Sequence, residues 1–196
     1  MKLFIVAGFL GSGKTTLILH LAMYFTNQKK KKVAIIENEI GQIGIDNQYL
    51  ELEGLRVQEL QSGCICCSMS FDLLETLKKL HDSFHPEVVL IEPSGVANPE
   101  KVLETISHSV IGIAEKKVIV LLDALRFKPI LAAKLPFVQK GLEVAHIVVI
   151  NKIDEIGKEA LQKLISEVRT LTQSNKIFPI SLEKGTGLLE LMKEVG

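Results

Sequence analysis

Short, wholly apolar runs alternate along this chain with longer stretches of helical periodicity. Leu3–Ala7, Val33–Glu37, Val88–Ile91, Lys117–Leu122, Ile147–Ile150 and Ile177–Ile180 read as strands. Most are apolar throughout, as parallel strands covered on both faces should be. Between them, helices are expected near Thr15–Asn27, Ser70–Asp82, Glu100–Ser107, Leu125–Ala133, Glu155–Thr172 and Leu188–Val195. The fifth is clearest, with Leu161, Leu164, Ile165, Val168 and Leu171 on one stripe. This alternation predicts an α/β fold: a doubly wound, mainly parallel sheet in a three-layer α/β/α sandwich. No repeat, low-complexity linker or composition break interrupts it, so residues 1–196 read as one domain.

The polar residues that break the pattern fall just after strands, where ligands gather in such sheets. After the first strand comes Gly8-Phe9-Leu10-Gly11-Ser12-Gly13-Lys14-Thr15, a complete G-x-x-x-x-G-K-T phosphate loop followed by Thr16 and a helix-compatible run. Small residues let consecutive backbone N–H groups close around a phosphate, and the helix aims its positive end at the same anion. Lys14 is placed to reach the β/γ-phosphates, and the Thr15 hydroxyl to ligate Mg²⁺. Gly11, Ser12, Gly13, Lys14, Thr15 and Thr16 are thus the expected phosphate-binding set.

After the fifth strand, Asn151-Lys152-Ile153-Asp154 is an N-K-x-D loop that suits guanine. The Asp154 carboxylate accepts from both N1–H and the 2-amino group, and a different base would leave that acceptor unpaired. Ser181-Leu182-Glu183 has the look of a second base-contacting loop. Glu92-x-x-Gly95 follows the third strand, where a GTPase needs an acid near Mg²⁺ and a glycine N–H for the γ-phosphate. Between these motifs, residues 37–46 are acidic and glycine-punctuated, as expected of a switch segment. Glu39 or Asp46 would orient water or reach the metal. Lys14, Asp46 and Glu92 are the candidates for catalysis.

Composition narrows the function classes. Formal net charge is zero, so nothing suggests a nucleic-acid footprint. The longest apolar stretch, Leu17 to Phe25, is too short to span a bilayer, and no membrane partner is expected. No signal peptide is visible, because Met1-Lys2 runs directly into the strand that carries the phosphate loop. All three cysteines fall in Cys64-Ile65-Cys66-Cys67. Three thiols so close suit a thiolate site better than a disulfide framework, and a reducing cytoplasm fits best. Cys64, Cys66 and Cys67 can bind a soft or borderline ion such as Zn²⁺, Ni²⁺, Co²⁺ or Cu(I). A structural zinc knot is the competing reading of the same residues.

Together GFLGSGKTT, ENEIGQIGID, GCICC, IEPSGVANP, VLLDAL and NKID resemble the CobW-like family of metal-handling P-loop GTPases, over essentially the whole chain. The family is similar to the GTPases that help insert nickel into urease and hydrogenase. The resemblance implies Mg²⁺-dependent GTP hydrolysis to GDP by a metallochaperone or metallocentre-assembly factor; the reaction is expected to be intrinsically slow, because no glutamine or arginine is evidently placed for it. Cys64, Cys66 and Cys67 would hold Zn²⁺, or Ni²⁺ or Co²⁺. Glu37, Asn38 and Glu39 would begin the switch, with Asp46 near Mg²⁺. A client metalloprotein is the implied partner. The second, C-terminal domain common in the family is expected to be absent from this chain, so delivery would rely on this domain, a homodimer or a partner. A GTP-dependent activator or scaffold for a corrinoid or other metalloenzyme, with a structural zinc, is the alternative. A small-molecule kinase is a third and weaker one. No glutamine or arginine is evidently placed by sequence to stabilise a transition state; only Arg56, Arg126 and Arg169 exist.

Overall fold

The computed structural model describes residues 1–37, 54–59, 69–93, 98–133 and 136–196. Within them, seven strands form one all-parallel sheet: β1 (Lys2–Gly8), β2 (Val33–Glu37), β3 (Leu55–Glu59), β4 (Val88–Glu92), β5 (Glu115–Asp123), β6 (Ile147–Asn151) and β7 (Ile177–Pro179), in the order β3-β2-β4-β1-β5-β6-β7. The helices are α1 (Lys14–Met23), continued by a π-helical turn Tyr24–Gln28, then α2 (Met69–Phe84), α3 (Pro99–Ser107), α4 (Phe127–Ala132), α5 (Pro136–Glu143), α6 (Lys158–Leu171) and α7 (Leu188–Val195). This is the expected three-layer α/β/α arrangement.

Successive strand residues point to opposite faces, so each strand feeds two cores. On one face Phe4, Val6, Ile35 and Leu90 pack with Leu17, Ile18 and Leu21 of α1 and Leu191 and Val195 of α7. On the other, Leu3, Ile5, Ile36 and Ile91 pack with Leu77 of α2, Ile106 of α3, Leu142 of α5 and Val168 of α6. Phe25 on the π-turn stacks 5.6 Å from Phe4, which ties the end of the first helix to the sheet beneath it. Among the described residues, no helix is long and apolar enough to cross a membrane.

The structure differs from the sequence pattern in instructive places. The strand β3 alternates apolar and polar residues because it is an edge strand, so it lacks the wholly apolar run of its neighbours. The helix α5 is opened by a proline and carries Gly141 in its middle, which obscures helical periodicity. The expected helix from Leu125 begins only at Phe127, because the Asp123 carboxylate holds the preceding turn by accepting from the N–H groups of Leu125 (3.0 Å) and Arg126 (3.1 Å). The expected Glu155–Thr172 helix splits into a 3₁₀ turn, Ile153–Glu155, and α6.

Candidate nucleotide-binding site

The apolar strand β1 ends at the phosphate loop, which turns through residues 9–13 into α1. Gly13, the residue before the helix, has φ 103°, a left-handed conformation open to glycine. Space closes the same position: a Cβ there would lie 2.7 Å from Asn151 Nδ2 and 2.9 Å from Leu182 Cδ1. The loop, the N-K-x-D segment and the Ser181 turn therefore meet at one point. Ser12 is fully buried, and its hydroxyl finds no hydrogen-bond partner among the described residues. A buried hydroxyl without a protein partner calls for an explanation, and a ligand held by the loop would supply one.

On the other side of the loop the structure gathers Lys14, Thr15 and Glu92. The strands β1 and β4 are neighbours, so Glu92, at the end of β4, faces the first turn of α1. The Thr15 hydroxyl donates to Glu92, 2.9 Å from Oε2 and 3.1 Å from Oε1. Lys14 Nζ lies 3.5 Å from Oε1, with its side chain only 5% exposed. A hydroxyl and a carboxylate side by side are the hard oxygen donors that suit Mg²⁺, and a nearly buried ammonium is a counter-charge for phosphate. Thr16 lies exposed on the same turn, and Gly11 is exposed on the loop.

Parallel pairing sets further acids beside Glu92. Glu37 is its register partner on β2, and Glu59 on β3 is the partner of Glu37. Three glutamates therefore end three adjacent strands on the carboxyl edge of the sheet.

The base-loop residues converge from β6 and the turn after β7. Asn151 is 3% exposed; its Nδ2 donates to the Ser12 carbonyl (2.8 Å) and its Oδ1 accepts from the Leu182 N–H (3.1 Å). It thus stitches the phosphate loop to the Ser181 turn. Lys152 sits at φ 63° and sends Nζ to Asp123 Oδ2, 2.8 Å away. Asp154 lies in the 3₁₀ turn, where a hydrogen bond from the Ser181 side chain holds its carboxyl below the usual range, aided by Lys184 at 3.8 Å. The same bonds favour the charged form of the carboxylate. Ser181 itself is buried, whereas Glu183 is exposed.

Asp123 of the VLLDAL motif and Arg126, just outside it, also belong here. Asp123 ends β5 with its side chain 1% exposed, bonded to both Lys152 and Arg126. Burial opposes its charge, but the bonds from Lys152 and Arg126 outweigh burial and leave its pKa lowered. Arg126 Nη2 reaches across to the Leu10 carbonyl, 3.0 Å away. An arginine does therefore stand at the phosphate loop, which sequence spacing did not reveal. The available signal was an aspartate at a strand end with an arginine three residues on, a self-capping turn. Asn38, Glu39, Asp46, Cys64, Cys66, Cys67 and Gly95 lie outside the described residues.

A family model described as the CobW/HypB/UreG nucleotide-binding domain matches residues 2–179. The chain is 33% identical over 162 residues to a zinc chaperone, YeiR, of Escherichia coli, covering 82% of this chain and 49% of that protein. It is 29% identical over 198 residues to the zinc chaperone CobW of Sinorhizobium, covering 86% and 55%. The chain thus spans about half the length of these curated relatives. Among solved structures, the hydrogenase maturation factor HypB of Archaeoglobus fulgidus superposes with TM-score 0.73 at 21% identity, covering all of this chain and 88% of that one. Zn(II)-bound YjiA GTPase of Escherichia coli superposes with TM-score 0.62 at 24% identity, covering 92% and 56%. Both likenesses show the fold.

Proposed function

Because the chain belongs to the CobW/HypB/UreG family, we propose that it is a GTP-hydrolysing metallochaperone or metallocentre-assembly factor whose thiolate-bound metal is coupled to its nucleotide state. The nucleotide sits in the loop from Gly11 to Thr16, with guanine read by Asp154. Asn151, Lys152 and the Ser181-Leu182-Glu183 turn form the wall of the base pocket. The Thr15 hydroxyl and Glu92 would hold Mg²⁺, which would supply charge neutralisation on the phosphates. Lys14 adds a second positive charge there, and Asp46 or Glu39 places the attacking water. The Lys14–Thr15–Glu92 cluster supports this division of roles, because its donors and acceptors already face one another.

The observation that carries the coupling is the register of Glu59, Glu37 and Glu92. Segment 38–53 follows β2 and segment 60–68, with Cys64, Cys66 and Cys67, follows β3. The strands β2 and β3 both end on the carboxyl side of the sheet, in register with Glu92. Parallel strands lie about 4.8 Å apart, so Glu59, the last residue of β3, stands roughly 10 Å along the sheet from Glu92. Zn²⁺ is the cargo favoured by the names of the relatives, and Ni²⁺ and Co²⁺ remain chemically suited to the same thiolates. The recipient is a client metalloprotein, and the setting a reducing cytoplasm. A second copy of the chain or a partner contributes what the intrinsic reaction lacks.

The test of the enzymatic half is single-turnover hydrolysis by the chain as it stands. Radiolabelled GTP should turn over slowly with Mg²⁺ and stop with chelator, and ATP should be untouched. Equal turnover of ATP would move the protein to the kinase-like alternative.

A further inference from the structure

We infer that Arg126 is a positioning residue that braces the outer side of the phosphate loop and, through Asp123, links it to the base loop. The inference rests on the nucleotide-binding reading above. In a phosphate loop the backbone N–H groups turn inward toward the anion. A side chain that donates to a carbonyl of that loop therefore supports it from outside and does not touch phosphate. Arg126 Nη2 does this to the Leu10 carbonyl at 3.0 Å, across 116 residues of chain. The guanidinium also lies close against the loop, since a Cβ on Gly11 would come 3.0 Å from Nη2 and 3.7 Å from Cζ. Gly11 has φ 72°, a left-handed conformation that favours glycine, and a side chain there would press on the guanidinium.

The other end of the guanidinium is anchored. Arg126 Nε donates to Asp123 Oδ2 at 2.8 Å, and Lys152 Nζ bonds the same oxygen at 2.8 Å. Asp123 Oδ1 accepts from two backbone N–H groups of its own turn, so the carboxylate is held on all sides. One buried carboxylate thus joins the loop that faces phosphate to the residue beside Asn151 in the base loop. Lysine cannot replace arginine in this tie. A planar fork donates to two acceptors from two nitrogens in a fixed frame, whereas lysine would have to bring both acceptors within reach of one nitrogen on a flexible stem. The brace acts on the bound state of the loop, before chemistry begins.

The test compares wild type, Arg126→Ala and Arg126→Lys, using fluorescent GDP and GTP analogues for affinity and Mg²⁺-dependent hydrolysis for KM and kcat. Loss of one charge-assisted bond predicts affinity for both nucleotides about tenfold weaker in Arg126→Ala. Arg126→Lys should recover less than about threefold of it. The loss should appear in KM, with kcat changed less than about threefold. Arg126→Lys keeps the aliphatic stem, so it reads the tie even where Arg126→Ala fails to fold. Unchanged affinity in either variant, or full rescue by lysine, overturns the inference. A fall in kcat at constant KM would also overturn it, by placing Arg126 in the transition state. Wild type that binds neither analogue would instead bring down the nucleotide reading on which the brace depends.

Discussion

Asp154→Asn should make this protein prefer xanthosine triphosphate over GTP. In the proposed function the carboxylate at this position accepts two hydrogen bonds from guanine, at N1–H and the 2-amino group. Asparagine keeps one acceptor and replaces the other with a donor. Xanthine keeps N1–H and carries a carbonyl at C2, so it matches the new pair, while guanine now sets its 2-amino donor against the amide N–H. Sites that read hydrogen-bonding groups discriminate by about 10⁴ or more, because the mismatch leaves polar groups unpaired. The variant should therefore lose at least about a hundredfold in kcat/KM for GTP and gain a comparable factor for the xanthine nucleotide. Asparagine can still accept the bond that Ser181 gives to Asp154, so the turn should keep its shape. The measurement is hydrolysis of the two triphosphates side by side. Unchanged GTP preference would remove Asp154 from the base pocket.

The second large effect is expected at Lys14. Its ammonium is nearly buried and 3.5 Å from Glu92, with Thr15 bonded to the same carboxylate. In Lys14→Ala that carboxylate keeps the Thr15 hydroxyl but loses its counter-charge, and the phosphates lose a fixed cation in a water-poor site. Removing one preorganised group of this kind costs about 10²–10³ in rate. Hydrolysis should fall by that factor, and GTP affinity should fall more than GDP affinity, because the role proposed for Lys14 is at the β/γ-phosphates. Melting temperature without nucleotide reports whether the fold survives; it should change by only a few degrees. A variant that hydrolyses GTP at the wild-type rate would contradict the role given to Lys14.

Much of this site could be read from local pattern. The phosphate loop carries its chemistry in consecutive residues, and the N-K-x-D loop does the same after an apolar strand. Strands read well wherever they are buried on both faces, as in β1, β4 and β6. What escaped depends on who neighbours whom. The strand β3 carries apolar residues at Leu55 and Val57 between polar ones, and only its pairing with β2 brings Glu59 into register with Glu37 and Glu92. Arg126 looks unremarkable in sequence, because its partner Leu10 lies on a loop brought to it by the β1–β5 pairing. Asn151 is another case. Its place in the motif suggests the base, and the fold commits both ends of its amide to backbone groups of two other loops. Motifs announce which atoms are present; the sheet order decides which atoms they meet.

The central claim is that metal and nucleotide bind with mutual influence, and linkage makes that reciprocal: if GTP strengthens metal binding, metal strengthens GTP binding by the same factor. The most direct measurement is Zn²⁺ affinity of the reduced protein under anaerobic conditions, with GDP·Mg²⁺ and with a non-hydrolysable GTP analogue·Mg²⁺. Ni²⁺ and Co²⁺ are titrated in parallel, and Cys66→Ser serves as the control. The account predicts affinities that differ between the two nucleotide states by about fivefold or more, and a Cys66→Ser variant that shows no such difference. Zn²⁺ bound with one affinity in both states, or not bound at all, would contradict it.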